Sequence, residues 1–335
     1  MPPAQSCELT RRFSAGPQPG RVDFWQELRC LSLGTRCRTI TVMAPRAPTG
    51  VFAEAWTAWL RTFRYPTEVI YHYTSAEALL SIIANKRMWA TDLQYTNDPT
   101  DLAHGEKIIG GALDDVIADC SDDLTCKWLD GFKHTTTMQV QRNDWYSVSF
   151  CTNGDLLSQW RGYGAMGGGV AMGWAAVSDF PGLPMRVGIT YDEALQSDVV
   201  REIIRVHVKE MAGIGWTPSD ADLERLKFAT GSLGVFFSLC LYSFKHPAFA
   251  SEDEFRWVYA ALDHKLPEGL RLLFRRFGSI VKPYIEVDFS RAKLVEVIYG
   301  PTTDQLTPKW LRSALDSFGF IGTIVKPSSV PMRLL

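Results

Sequence analysis

The chain runs to 335 residues with 46% hydrophobic and 21% charged side chains, enough to bury a large core in one domain or two coupled ones. A formal net charge of -2 argues against a surface built to neutralise phosphates, so nucleic acid is not a default partner. Seven cysteines, an odd set without C-x-x-C spacing, argue against a zinc array and predict a reduced, cytoplasmic protein with no bound metal.

Residues 1–50 hold seven arginines, three acids, six prolines and no lysine, without a periodic pattern. This segment is expected to lie outside the fold as a disordered or non-native extension, with Met43 as the alternative start. Residues 51–335 are expected to form a single domain. Phe52, Ala55, Trp56, Trp59, Leu60 and Phe63 recur at helical spacing and lead into a strand over Val69–Thr74. On that strand Val69, Tyr71 and Tyr73 share one face while Ile70, His72 and Thr74 share the other. Thr74 followed by Glu77 fits a capping box for a helix through Leu79, Leu80, Ile82 and Ile83, ending near Asn85. A short strand around Met88–Trp89–Ala90 comes next, and Asn97-Asp98-Pro99 reads as a turn with Asp98 as the N-cap of another helix.

Trp145 to Cys151 alternates Tyr146, Val148 and Phe150 with Ser147, Ser149 and Cys151, which predicts a strand with one apolar and one small polar face. Leu156 to Arg161 reads as a short helix. The following Gly162-Tyr163-Gly164-Ala165-Met166-Gly167 matches G-x-G-x-x-G but precedes a strand-like Val170-Ala171-Met172, so the dinucleotide fingerprint fails on context. These glycines more simply let backbone approach backbone or ligand. Residues 199 to 244 read as two helices. The apolar run from Leu233 to Phe244 falls short of the ~20 residues of a membrane span and predicts a buried helix, with no membrane association. Strands return near Tyr284–Val287, Leu294–Tyr299 and Thr323–Val325.

Two places carry candidate chemistry. His72 sits at a strand-to-helix junction, where a titratable ring can face a cleft or serve as a hydrogen-bonded core residue. In Ser251 to Trp257, alternation of Phe255 and Trp257 with Glu254 and Arg256 predicts a strand projecting the two charges to one side, although Ser251 and Glu254 also fit a helix cap. A carboxylate at such a strand start suits stabilisation of a developing cation, as when a glycosidic bond breaks. G-x-S-x-G and H-E-x-x-H are absent, and the six histidines are scattered. His246 before Pro247 reads as a turn residue.

Tyr71-His72-Tyr73-Thr74-Ser75, Asn97-Asp98-Pro99, Ser149-Phe150, Leu157 to Gly164, Phe244 to Phe249 and Glu252 to Arg256, taken in order, resemble the bacterial family catalogued as domain of unknown function 2971. That resemblance runs from about Ile70 to the C-terminus. A more distant one is to the ADP-ribosyltransferase superfamily, with a histidine on an early strand, an aromatic or serine position on a central strand and a glutamate opening a late strand. It implies that NAD is the co-substrate, that His72 and Glu254 are catalytic, that His72 bonds a ribose, and that Tyr95 or Tyr163 stacks on nicotinamide. It further implies Tyr73, Thr74, Ser149, Trp160 and Arg256 as cofactor contacts, Arg256 either on the pyrophosphate or paired with Glu254. Asn97, Asp98, Ser158, Arg161 and Glu252 are further cleft candidates.

The expected fold is α+β and ADP-ribosyltransferase-like, a mixed or antiparallel central sheet with surrounding helices and a helical insertion near residues 199–245. The expected function is transfer of ADP-ribose from NAD, or NAD hydrolysis, onto an acceptor that is a protein, a nucleic acid or a small molecule. The alternative is a binding module for a ligand, peptide or nucleic acid, its groove lined by some of the eleven tryptophans.

Overall fold

The computed structural model describes residues 25–27, 43–45, 50–62, 66, 68–95, 101–142, 144–176, 185–261, 264–304 and 307–332. In chain order the elements are β1 (Trp25–Glu27), β2 (Met43–Pro45), α1 (Val51–Leu60), β3 (Val69–Thr74), α2 (Ala76–Asn85), β4 (Arg87–Asp92), α3 (Asp101–Ala118), α4 (Asp123–Arg142), β5 (Asp144–Cys151) and α5 (Leu157–Gly162). There follow β6 (Val170–Ala175), β7 (Met185–Gly188), α6 (Glu193–Met211), α7 (Asp220–Ser243), β8 (Glu254–Ala261), β9 (Leu272–Phe277), β10 (Ile280–Asp288), β11 (Leu294–Tyr299), α8 (Thr307–Ser317) and β12 (Ile324–Pro327). Within the expected N-terminal extension, β1 and β2 form a three-residue antiparallel ladder that includes Met43.

Ten strands make one open sheet, antiparallel except where β11 runs parallel to β12. One face is covered by α1, α3, α4, α6 and α7, whose buried Trp59, Ile203, Leu233, Phe236 and Phe237 pack against Trp145, Val187 and Val258. The other face is covered by α2 and α8, where Leu79, Ile83, Leu311 and Leu315 meet Ile70, Met172, Trp174 and Trp257. β5 and β8 therefore meet both cores, the first through Trp145 and Val258 and the second through Tyr146, Val148, Phe255 and Trp257.

α7 runs 24 residues, twice the apolar run seen in the sequence, and is long and apolar enough to cross a membrane by length and composition. In the fold, 67% of its most apolar window is buried in the first core. Its start is set by a capping box in which Ser219 and Asp222 satisfy each other's backbone N–H. α2 is capped one residue later than expected: Ser75, not Thr74, accepts the N–H of Ala78, because Thr74 is still held in the β3–β6 ladder. Glu254 opens β8 as the alternation predicts, and the alternative of a helix cap between Ser251 and Glu254 does not form, since residues 247–252 are a 3₁₀ turn. The Asn97–Asp98–Pro99 turn lies outside the described residues.

The glycine-rich stretch is a packing device. A Cβ on Gly169 would overlap the carbonyl oxygen of Thr74, and one on Gly300 would overlap that of Gly167. Glycine lets these backbones touch where β6 and β11 begin and end beside the end of β3.

Candidate active site

The site arises from a split in the sheet. β8 pairs with the whole of β5, from Asp144↔Ala261 to Cys151↔Glu254. On the other edge of β5, β3 pairs at Cys151, and β4 pairs at Ser147 and Tyr146. β3 and β4 thus splay apart, and the edge of β5 between those contacts floors a cleft of about 330 Å³, within the usual range for small-molecule pockets.

Register decides which side chains face the cleft. Directly opposite residues share a face, so Cys151↔Glu254, Ser149↔Arg256, Ser147↔Thr91, Thr91↔Tyr284 and Lys282↔Arg275 place one polar row across β8, β5, β4, β10 and β9. His72 belongs to the opposite face of β3, alongside Ile70, and contacts Phe150 edge-on at 5.9 Å. The split is what brings it to the same cleft as Glu254.

Glu254 is the centre of a buried ionic group. Arg256 grips it with Nε at 2.6 Å and Nη2 at 2.9 Å, Lys245 Nζ reaches it at 3.2 Å, and the Ser149 side chain is also hydrogen-bonded to it. Burial alone would raise its pKa, but Arg256, then Lys245 and these hydrogen bonds outweigh that and hold the carboxyl at about 2. Glu254 is therefore a permanent carboxylate at neutral pH. Lys245 also bonds Glu252 at 2.5 Å, and Glu252 accepts the Tyr163 hydroxyl at 3.2 Å. Lys245 is placed from behind by Gln196, fully buried on α6, which donates to the backbone carbonyls of Thr190 and Lys245.

His72 Nδ1 lies 3.0 Å from the carbonyl oxygen of Ser149. A carbonyl only accepts, so Nδ1 carries the proton and Nε2 is the acceptor of the neutral ring. Removal from water holds the imidazole below its ordinary pKa, against the contrary pull of the Ser149 carbonyl. Ser149 thus touches both expected catalytic residues, His72 through its backbone and Glu254 through its side chain.

Across β5 the cleft wall changes character. Trp89 is 43% exposed and packs at 4.7 Å on Tyr284, with the Arg275 guanidinium 5.2 Å over the Trp89 ring. Arg275 donates to Thr91 Oγ1 at 2.9 Å and Lys282 donates to the carbonyl of Tyr95 at 2.8 Å.

Of the residues expected at a site, His72, Tyr73, Thr74, Tyr95, Ser149, Tyr163, Glu252, Glu254 and Arg256 line this one cleft. Tyr73 is a wall residue whose hydroxyl donates to the Asn153 carbonyl and accepts the Leu156 N–H, which leaves it occupied. Trp160 is fully buried behind Tyr73, its N–H given to Asp155, so it contacts no cleft ligand. Ser158 and Arg161 lie exposed on α5 outside the cleft lining, and Asn97 and Asp98 are outside the described residues. Arg256 pairs with Glu254 and with the carbonyl of Tyr242, which takes it away from a pyrophosphate. Lys245, Trp89, Arg275 and Lys282 are cleft residues that the sequence did not single out. Lys245 lies in the Phe244–Phe249 stretch, and the signal for it is the acidic Glu252 that follows, its part-buried partner. Arg275 and Lys282 come from a hairpin whose first strand, β9, has basic residues where a strand pattern expects apolar ones.

Residues 159–257 match the model of a family described as protein of unknown function (DUF2971). The similarity to DUF2971 is confined to that segment. It spans α5 to the middle of β8 and holds Tyr163, Lys245, Glu252, Glu254 and Arg256, whereas His72 and Ser149 precede it. No curated protein and no solved structure matches the chain. The matched segment thus brings one side of the cleft, and the earlier strands β3, β4 and β5 with the later hairpin β9–β10 bring the rest.

Proposed function

We propose that this protein cleaves the nicotinamide–ribose bond of NAD in the cytoplasm and passes ADP-ribose to an acceptor or to water, in a fold related to the ADP-ribosyltransferases. The observation that carries the reading is the Ser149 link, which sets a neutral histidine acceptor and a permanent carboxylate on either side of one strand edge. In this chemistry the C1′–N bond breaks with its electron pair leaving on nicotinamide, and an acceptor oxygen or nitrogen bonds C1′ and gives up its proton.

Glu254, ionised and largely dry, stabilises the positive charge that grows on the ribose as that bond opens. Its negative charge is partly offset by Arg256 and Lys245, and its oxygens already hold four donors. A ribose hydroxyl would therefore replace the Ser149 hydroxyl on it. His72 Nε2 accepts a second ribose hydroxyl and orients the ring. Tyr163 and Tyr95, both partly exposed in the lining, are the aromatic faces for nicotinamide.

The full occupancy of Glu254 favours a second reading, a binding module in which the ion group is structural. Incubation with NAD labelled on the nicotinamide, with and without cell lysate, separates the two. Transferase or hydrolase action predicts nicotinamide release that is lost in Glu254→Gln and in His72→Asn while both stay folded. No release from folded wild-type protein in either condition would sink the enzymatic reading. His72→Asn removes no buried charge, so it keeps the test open if Glu254→Gln fails to fold.

A further inference from the structure

The cleft is lined by five cationic side chains, Arg87, Lys245, Arg256, Arg275 and Lys282, and by two carboxylates, Glu252 and Glu254. Both carboxylates are held by Lys245 and Arg256, so the opposite wall contributes its positive charge uncompensated by them. Arg275 has no carboxylate partner among the described residues, and its Nε is buried without a hydrogen bond. Lys282 stands directly opposite it in the β9–β10 ladder, on the same face. Two like charges in directly opposite positions repel, and burial makes this worse. Consistently, burial holds both side chains below their ordinary pKa values, and for Lys282 the Arg275 charge adds to it.

Both side chains of the pair line the cleft, which is where their charge is presented. We propose that Arg275 and Lys282 form a subsite for a phosphate-type anion, with the Trp89 ring beside it as a stacking face for an attached base. The guanidinium is fixed for this role by Thr91 and by the rings of Trp89 and Tyr284, at 5.2 and 6.0 Å, so little freedom is lost on binding. Three strand spacings, roughly 14 Å, separate β10 from β8, so a ligand touching both Glu254 and this pair is elongated with its anion at one end. That the anion is the pyrophosphate of NAD rests on the reading above; the subsite itself does not.

Calorimetric titration of the full chain with ADP-ribose, ADP and nicotinamide riboside tests this, beside Arg275→Gln and Lys282→Met. ADP-ribose and ADP are expected to bind the wild type with affinity that falls as salt rises, and to lose tenfold or more in each variant. Nicotinamide riboside, without phosphates, is expected to show no such dependence. Lys282→Arg, which keeps the cation, is expected to bind ADP as the wild type does, whereas a lysine that serves only to hold the Tyr95 carbonyl would not be rescued in this way. Wild-type protein that binds neither ADP nor ADP-ribose, or Arg275→Gln and Lys282→Met variants that bind both as the wild type does, would overturn the subsite. Binding that depends on the pair without nicotinamide release leaves the subsite standing and removes the transferase reading. Release with an unchanged KM in both variants does the reverse.

Discussion

Glu254 and Arg256 lie two residues apart on β8, and the arginine closes on the carboxylate with two nitrogens at 2.6 and 2.9 Å. Strand geometry explains the pair, since residues i and i+2 share a face. Both side chains are nearly inaccessible, so each is the other's replacement for water.

Removing one partner therefore leaves a buried charge. Glu254→Gln is expected to cost about 3–5 kcal/mol in denaturant unfolding. The folded carboxyl is held at about 2 against an ordinary 4.5, so its stabilising contribution is complete above pH 4.5 and is lost as pH falls from there toward 2. The variant should lack that acid loss. A cost under about 1 kcal/mol at neutral pH would contradict the burial of this charge.

Asp92, at the end of β4, runs the opposite way. Burial pushes its carboxyl up to about 6, against the pull of the Gln94 N–H, with Asp144 adding a little. The folded state then holds the proton more tightly than the unfolded one, so stability falls as pH rises from about 4 to 6. Asp92→Asn is expected to raise unfolding free energy at pH 7 by on the order of 2 kcal/mol and to leave it unchanged at pH 4. Equal gains at both pH values would assign the effect to something other than ionisation.

The glycines separate by what surrounds them. Gly169→Ala and Gly300→Ala each force a Cβ into a backbone carbonyl and are expected to cost about 3 kcal/mol. Gly110→Ala and Gly111→Ala, in open space on α3, are expected to stabilise by ~0.5–1 kcal/mol. Thermal unfolding of the four variants reads both signs.

His72 stays neutral down to its lowered pKa, with Nε2 as an acceptor. The rate of nicotinamide release is expected to be flat from pH 6.5 to 8 as far as this group is concerned, and to fall on the acid side as the ring gains a proton. A rate that rises as pH drops through 6.5 would require the charged ring and contradict the role given to Nε2.

The strands β3, β5 and β11 and the helices α2, α6 and α7 were legible because their apolar spacing is regular and their ends carry caps or turns. Glu254 could be named because it opens β8, and His72 because it stands two residues before β3 ends and the chain turns into α2. The split between β3 and β4 was not legible, since it depends on how far each strand pairs with β5 and no local pattern encodes that. Trp160 was misassigned because an aromatic beside glycines reads alike whether it lines a groove or fills the core behind Tyr73. Arg275 and Lys282 were missed because the juxtaposition of two cations in the cleft is visible only once the β9–β10 register is known.

The central claim concerns what lies against the Ser149 edge of the cleft. A crystal structure of the protein with a non-hydrolysable NAD analogue at saturating concentration tests it most directly. The account predicts the nicotinamide ribose within hydrogen-bond distance of His72 Nε2 and beside Glu254, with the pyrophosphate directed toward Arg275 and Lys282. An analogue bound elsewhere, bound with its ribose turned away from both residues, or absent from the cleft, would contradict it.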